Sequence, residues 1–284
     1  MKQMDWRPFP YGDRAYRYTG MALSDQWQRL HRGDLEPYPT ADRIADQIDR
    51  CGPALATAHD PARLADALQS AWRDYHAGDF GAAIRTAGAL GPIGDVVVAR
   101  AEVAYATYLE KDDRGALTML CDAARRSESL ARIDPACTNA WLLHAMALGR
   151  YSQRISVVKA LARGLGSKIR QSLLTVLALE PEHAAALATF GVYHFEVIDK
   201  VGAVVGKMTH SATREEGVRC FEQALSIDPD SPITRMEYAR ALGLGRGRDV
   251  PAAEKIMKRA ASCHPCDALA RLDVERARLA LNFS

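Results

Sequence analysis

Four prolines set the scale on which this chain can fold. Ile133-Asp134-Pro135, Leu179-Glu180-Pro181 and Ile227-Asp228-Pro229 share one pattern, and Pro265 follows Ala260-Ala261-Ser262-Cys263. Proline cannot continue a helix, so each marks a helix end followed by a new start. The intervals are 46, 48 and 36 residues. Recurrence on that scale points to stacked supersecondary units rather than a single irregular core.

The residues around the prolines repeat as well. From Trp141 the chain reads W-x2-H-A-x2-L, then Ile169-x3-Leu173 and Pro181. From Leu187 it reads L-x2-F-G-x2-H, then Gly217-x3-Phe221 and Pro229. From Arg235 it reads R-x2-Y-A-x2-L, then Ala253-x3-Met257 and Pro265. These copies resemble the tetratricopeptide pattern W-x2-L-G-x2-Y…A-x3-F…P, whose helix–turn–helix unit is about 34 residues long. A weaker copy surrounds Gly78-Asp79-Phe80 with Ala83-x3-Ala87, and a degenerate pair covers residues 96–133. Through Tyr151-Ser152-Gln153 and the run from Lys168-Ile169 to Phe195 the chain is also distantly similar, over residues 150–245, to the regulator-of-microtubule-dynamics proteins, and as a whole it resembles uncharacterised bacterial tetratricopeptide proteins. Its 29 arginines against 8 lysines suit a GC-rich bacterial genome.

The resemblance implies an all-α fold: a tetratricopeptide-like helix–turn–helix solenoid with two enlarged repeats and a C-terminal capping helix. Residues 60–284 form the solenoid, and residues 1–59 form an aromatic, proline-rich extension packed on it. That segment carries Trp6, Phe9, Tyr11, Tyr16, Tyr18, Trp27 and Tyr38, too many aromatics for a disordered tail. Short helices are expected around Trp27 and over 41–50. Asp60-Pro61, Ser231-Pro232 and Asp249 read as helix starts, and Asp267 as the cap of a last helix over 268–281. Val96-Val97-Val98 runs into alanine-rich sequence and reads as helix rather than strand.

The first two intervals exceed the repeat by about 12 and 14 residues. The extra length falls in residues 151–166 and 196–210, both apolar, each with two glycines. An ordinary surface loop would be polar. Either the insertions extend the helices and pack on each other, or they form an apolar docking lip. The pairing expected is Ile155, Val158 and Leu161 against Ile198, Val201 and Val204, with Ser167 capping the next helix.

The resemblance places the first helix of each repeat on a concave face. Projection of the register puts Leu142, Met146 and Arg150, then Ala188, Val192 and Phe195, then Met236 and Arg240 on that face. With Val158 from the insertions, Leu142, Met146, Arg150, Val192, Phe195, Met236 and Arg240 are the expected partner-binding residues. Their apolar character favours an amphipathic or apolar protein segment and disfavours a carboxylate clamp.

Chemical motifs are sparse. Cys263-His264-Pro265-Cys266 has redox spacing, but Cys263 ends a helix and no βαβ context surrounds it. Gly202 to Met208 is one residue short of a phosphate loop and lacks its hydroxyl. His194 fills the repeat's aromatic slot and reads as a packing residue. No catalytic constellation, metal set or cofactor motif stands out. A net charge of +2 gives no case for nucleic acid. There is no apolar run long enough to span a membrane and no signal-peptide pattern at the N-terminus. The expectation is a cytoplasmic, non-enzymatic protein-binding scaffold without a cofactor. A small-molecule or lipid binder and a thiol redox protein are the alternatives.

Overall fold

The computed structural model describes residues 6–12, 15–56, 60–245 and 247–282, and these contain helices and no strand. The sequence-derived boundary at residues 59 and 60 falls at the edge of a stretch outside the described residues. In chain order the helices are α1 (Ala22–Leu30), α2 (Ala41–Cys51), α3 (Pro61–Ala77), α4 (Phe80–Gly88) and α5 (Asp95–Tyr108). They continue with α6 (Asp113–Ile133), α7 (Thr138–Ser152), α8 (Val157–Ala162), α9 (Leu165–Leu179) and α10 (Ala184–Val201). The last five are α11 (Ala203–His210), α12 (Arg214–Ile227), α13 (Pro232–Leu242), α14 (Val250–Ala261) and α15 (Ala268–Asn282). The chain divides into two compact units. One comprises Met1–Arg29, Glu36–Arg154 and Asp267–Leu269; the other comprises Leu30–Leu35, Ile155–Cys266 and Ala270–Ser284.

The prolines act as the sequence implies. α6, α9 and α12 each stop two residues before Pro135, Pro181 and Pro229. Their end residues Asp134, Glu180 and Asp228 share an extended geometry, with φ between −137° and −121° and ψ between 78° and 88°. Proline disfavours the helical region for its predecessor, so these backbones leave the helix together. Cys137, His183 and Ser231 then start the next helices with φ between −78° and −68°. The same turn is built three times from different side chains.

Helix starts are capped from sequence. Asp60 accepts from the backbone N–H of Ala62 and Arg63, Ser231 from Thr234, and Asp249 from Ala252. Val96, Val97 and Val98 are helical and buried in α5. Ser167 is not a cap: α9 begins at Leu165, behind Gly164 at φ +61°, so Ser167 lies inside the first turn. Asp267 precedes α15 with its Oδ2 3.0 Å from His76 Nδ1, and the His76 ring stacks on Trp72.

In the first unit, sequential helices from α2 to α7 pack on their neighbours. The N-terminal segment seats against this stack. Trp6 meets Tyr105 edge-on at 4.8 Å, and the Arg7 N–H donates to the Tyr105 hydroxyl at 2.9 Å. Trp6 and Phe9 fill the space above Gly81 and Gly78; a Cβ on Gly78 would come within 2.8 Å of the Phe9 ring. α2 is tied to the end of α6, where Gln47 and Arg50 both donate to Asp134.

In the second unit the core centres on Phe221. Its ring is fully buried, stacks on Tyr238 at 4.7 Å, and lies near Phe195. Gly191 makes room for it: a Cβ there would stand 2.8 Å from the Phe221 ring. Gly217 does the same for Phe195 at 2.7 Å. Residues 30–35 join this unit, with the Gly33 carbonyl accepting from Ala185 N–H at 2.7 Å.

Candidate functional site

The two insertions are helices, and both belong to the second unit. Ser156 starts α8 by accepting from Lys159 N–H, and the left-handed Gly164 separates α8 from α9. Gly202, at φ +84°, breaks the long α10 and lets α11 turn away. Gly206 is the one buried residue of α11, packed on Val197 and Ile198. α8 and α11 each pack on α9 or its start, the latter where the His210 ring sits against Gly166.

The larger side chains of these helices stay in solvent. Val158 is 76% exposed, Val204 73% and Met208 82%, with Val157, Leu161 and Val205 also exposed. The expected pairing of Ile155, Val158 and Leu161 with Ile198, Val201 and Val204 does not form a buried seam, because Val158, Leu161 and Val204 stay exposed; of the two alternatives, the local core is the one this disfavours. α8 and α11 have six and eight residues and use their small buried faces, Ala160 and Gly206, to hold on. Their branched side chains are left in solvent.

The charge pattern there is one-sided. No Asp or Glu occurs in residues 155–179 or 200–214, which carry Lys159, Arg163, Lys168, Arg170, Lys200, Lys207 and Arg214. Lys200 pairs with Glu196, and Arg214 binds the carbonyls of Leu244 and Gly247. Lys159, Lys168 and Lys207 are exposed and have no acidic partner among the described residues. Lys159 sits between Val158 and Leu161, and Lys207 between Val205 and Met208.

The expected groove residues fare differently. Leu142, Phe195 and Met236 are buried and do not line a free surface. Phe195 is enclosed by Phe221, Gly217 and the Arg214 guanidinium, 4.6 Å above its ring. Met236 is covered by Ala260 of α14 and Ala277 of α15. Val192 is partly buried against the Phe221 cluster, while Met146 and Arg150 are half-buried. Arg240 is held by Glu237 and Glu196, each at 3.0 Å. Register alone could not reveal that α14 and α15 would close over α13. Met208, Val205 and Lys207 were missed as surface residues because an apolar run reads the same whether it faces core or water.

A solved structure, that of a thermophilic tetratricopeptide-repeat protein from Thermus thermophilus, aligns with 76% of this chain and 99% of its own. The TM-score is 0.55 and the identity 17%. The fold is a tetratricopeptide-type helical solenoid. No protein-family model matches the chain, and no curated protein does.

Within this tetratricopeptide fold the reactive-looking groups are structurally committed. His194, Glu216 and Cys220 bring potential ligand atoms within 4.8 Å of one another. His194 Nδ1, however, accepts the Thr213 backbone N–H at 3.1 Å. Burial lowers the ring's pKa to about 4, so it is neutral and its proton resides on Nε2. That nitrogen then has no lone pair to offer a cation. Glu216 is taken by Arg219, and burial pushes the Cys220 thiol up to about 11. Residues 203–208 lie inside α11 and, with Gly202, follow a helix and not a strand, so the phosphate-loop likeness has no structural counterpart.

Cys263 follows the end of α14. Burial raises its pKa, against the pull of Arg235, and its Sγ lies 3.3 Å from the Arg259 carbonyl. A thiol kept protonated at a helix C-terminus is a poor nucleophile. Replacing Cys263 and Cys266 together by Ser is expected to leave surface binding unchanged. A reversible disulfide of low potential whose loss abolishes function would reverse this assignment.

Proposed function

We infer that this chain is a non-enzymatic scaffold that docks onto its target through the apolar face of α8 and α11. The supporting observation is where the exposed apolar side chains lie along the chain. Six of the large exposed hydrophobics lie on these two short helices, at matching places in consecutive repeats. Soluble surfaces carry scattered apolar residues; concentration on inserted elements marks a contact site. The tetratricopeptide fold is suited to holding a partner over an extended surface. Protein or peptide partners, with an amphipathic or apolar segment, fit this reading. Val192 and Arg240, in the same unit as α8 and α11, remain as contributors on the first helices of their repeats. Six free cysteines agree with a reducing, cytoplasmic setting.

Val158→Asp places a charge on the exposed face of α8 without touching the Phe221 core. It is expected to keep the wild-type circular dichroism and melting temperature and to lose partners recovered by in-cell crosslinking. A folded variant that retained every crosslinked partner would remove α8 from the docking surface.

A further inference from the structure

We propose that the surface received by α8 and α11 is an anionic lipid bilayer, so that the scaffold is a peripheral membrane protein. This rests on the reading of these helices as the docking face and names what they dock to. Three observations carry it.

The first is protrusion. Val158, Val204 and Met208 expose 76%, 73% and 82% of their surface, so they stand out from the protein instead of lining a crevice. A rigid partner must supply a matching pocket for each, whereas acyl chains close around any apolar projection. The second is charge. Residues 155–179 and 200–214 contain seven cations and no acid, while the whole chain sums to only +2, leaving −5 for the rest. Lys159, Lys168 and Lys207, exposed and without an acidic partner among the described residues, would meet the headgroups of an anionic leaflet, whereas Lys200 and Arg214 are already held by Glu196 and by the Leu244 and Gly247 carbonyls.

The third is interleaving. Lys159 follows Val158 and precedes Leu161; Lys207 follows Val205 and precedes Met208. Aliphatic residues with adjacent lysines are the composition of helices that lie in the headgroup region, the stems following the apolar side chains and the ammonium groups staying with the phosphates. No helix among the described residues is long and apolar enough to cross a membrane, so attachment would be superficial. Two weak signals, apolar insertion and electrostatic attraction, act together where either alone would be marginal.

The test is co-sedimentation of the full chain with extruded vesicles. One set is phosphatidylcholine alone and the other contains about 30 mol % phosphatidylglycerol, at low salt and at about 0.5 M NaCl. The wild type is expected to bind the anionic vesicles, to ignore the neutral ones, and to be released by salt. Lys159→Gln and Lys207→Gln should each weaken binding about fivefold. Val158→Asp and Met208→Asp should each weaken it roughly tenfold or more, with unchanged circular dichroism. No sedimentation of wild type with anionic vesicles at low salt overturns the bilayer assignment, as does binding that is indifferent to lipid charge and to both lysine variants. If vesicles fail while Val158→Asp still strips crosslinked protein partners, the docking face stands and its target is a protein. If neither assay responds to Val158→Asp, the docking reading itself fails.

Discussion

Phe221→Ala is expected to destabilise the protein by about 3–5 kcal/mol, the range for removing a large buried aromatic side chain. The ring is fully buried, stacks on Tyr238 of α13, neighbours Phe195 of α10, and sits over Gly191. Its loss leaves a cavity whose walls come from three helices. Collapse into that space would require α10, α12 and α13 to shift together, and the repeated turns at Glu180 and Asp228 hold their ends. Urea unfolding followed by circular dichroism measures the total. Hydrogen exchange should show the loss concentrated in α10, α12 and α13, because repeat stability depends chiefly on nearest neighbours. A cost under about 1 kcal/mol would mean the register that makes Phe221 the inter-helix ring is wrong.

The second large effect is a pH response of opposite sign in the two units. In the first unit, burial raises the Glu102 carboxyl to about 7, against Arg126 and with Asp122 and Asp95 nearby. Folding therefore penalises the charged form. The penalty is absent below the unfolded pKa near 4.5 and complete above 7, so this unit gains stability as pH falls from 7 to 4.5. Asp95 and Asp74, also raised by burial, act in the same direction. In the second unit, burial lowers His194 to about 4, with Glu216, Arg170 and Arg219 around it. Its penalty is absent above the unfolded pKa near 6.5 and complete below 4. This unit loses stability as pH falls from 6.5 to 4, partly countered by the raised Asp228. Each main contribution is about 3 kcal/mol by linkage. A global melting curve would show little of this, because the two offset each other. Hydrogen exchange at about pH 5 and pH 7, corrected for intrinsic rates, should show α5 and α6 better protected in acid and α10 and α12 less. Glu102→Gln and His194→Gln should flatten the first and second responses respectively. Responses of equal sign in both units would contradict the assignment.

The parts of the fold legible in the sequence are those set by local chemistry. Proline and the residue before it fix the helix ends, and capping side chains fix the starts. These need no knowledge of distant chain. The surface was legible only in part. Val158 reads correctly as part of an apolar insertion, yet Leu142, Phe195 and Met236 have the same character and are core. Which apolar residue meets water depends on whether another helix arrives to cover it, and the coverage of Met236 by α14 and α15 is a long-range outcome. Charge is more informative at this point: an acid-free stretch of lysines cannot be buried without cost, so it marks the side that stays open.

The seating of the N-terminal arm carries a consequence for self-association. Trp6 and Phe9 occupy sockets floored by Gly81 and Gly78, and the Arg7 N–H reaches Tyr105 across 98 positions of chain. Every contact that holds the arm is made with side chains and backbone present in each molecule, so a socket does not distinguish its own arm from another's. What favours its own is the high local concentration that the covalent link provides. Protein refolded at concentrations approaching that local value should therefore yield arm-exchanged pairs, each socket filled and each fold unchanged, separable by gel filtration and slow to revert.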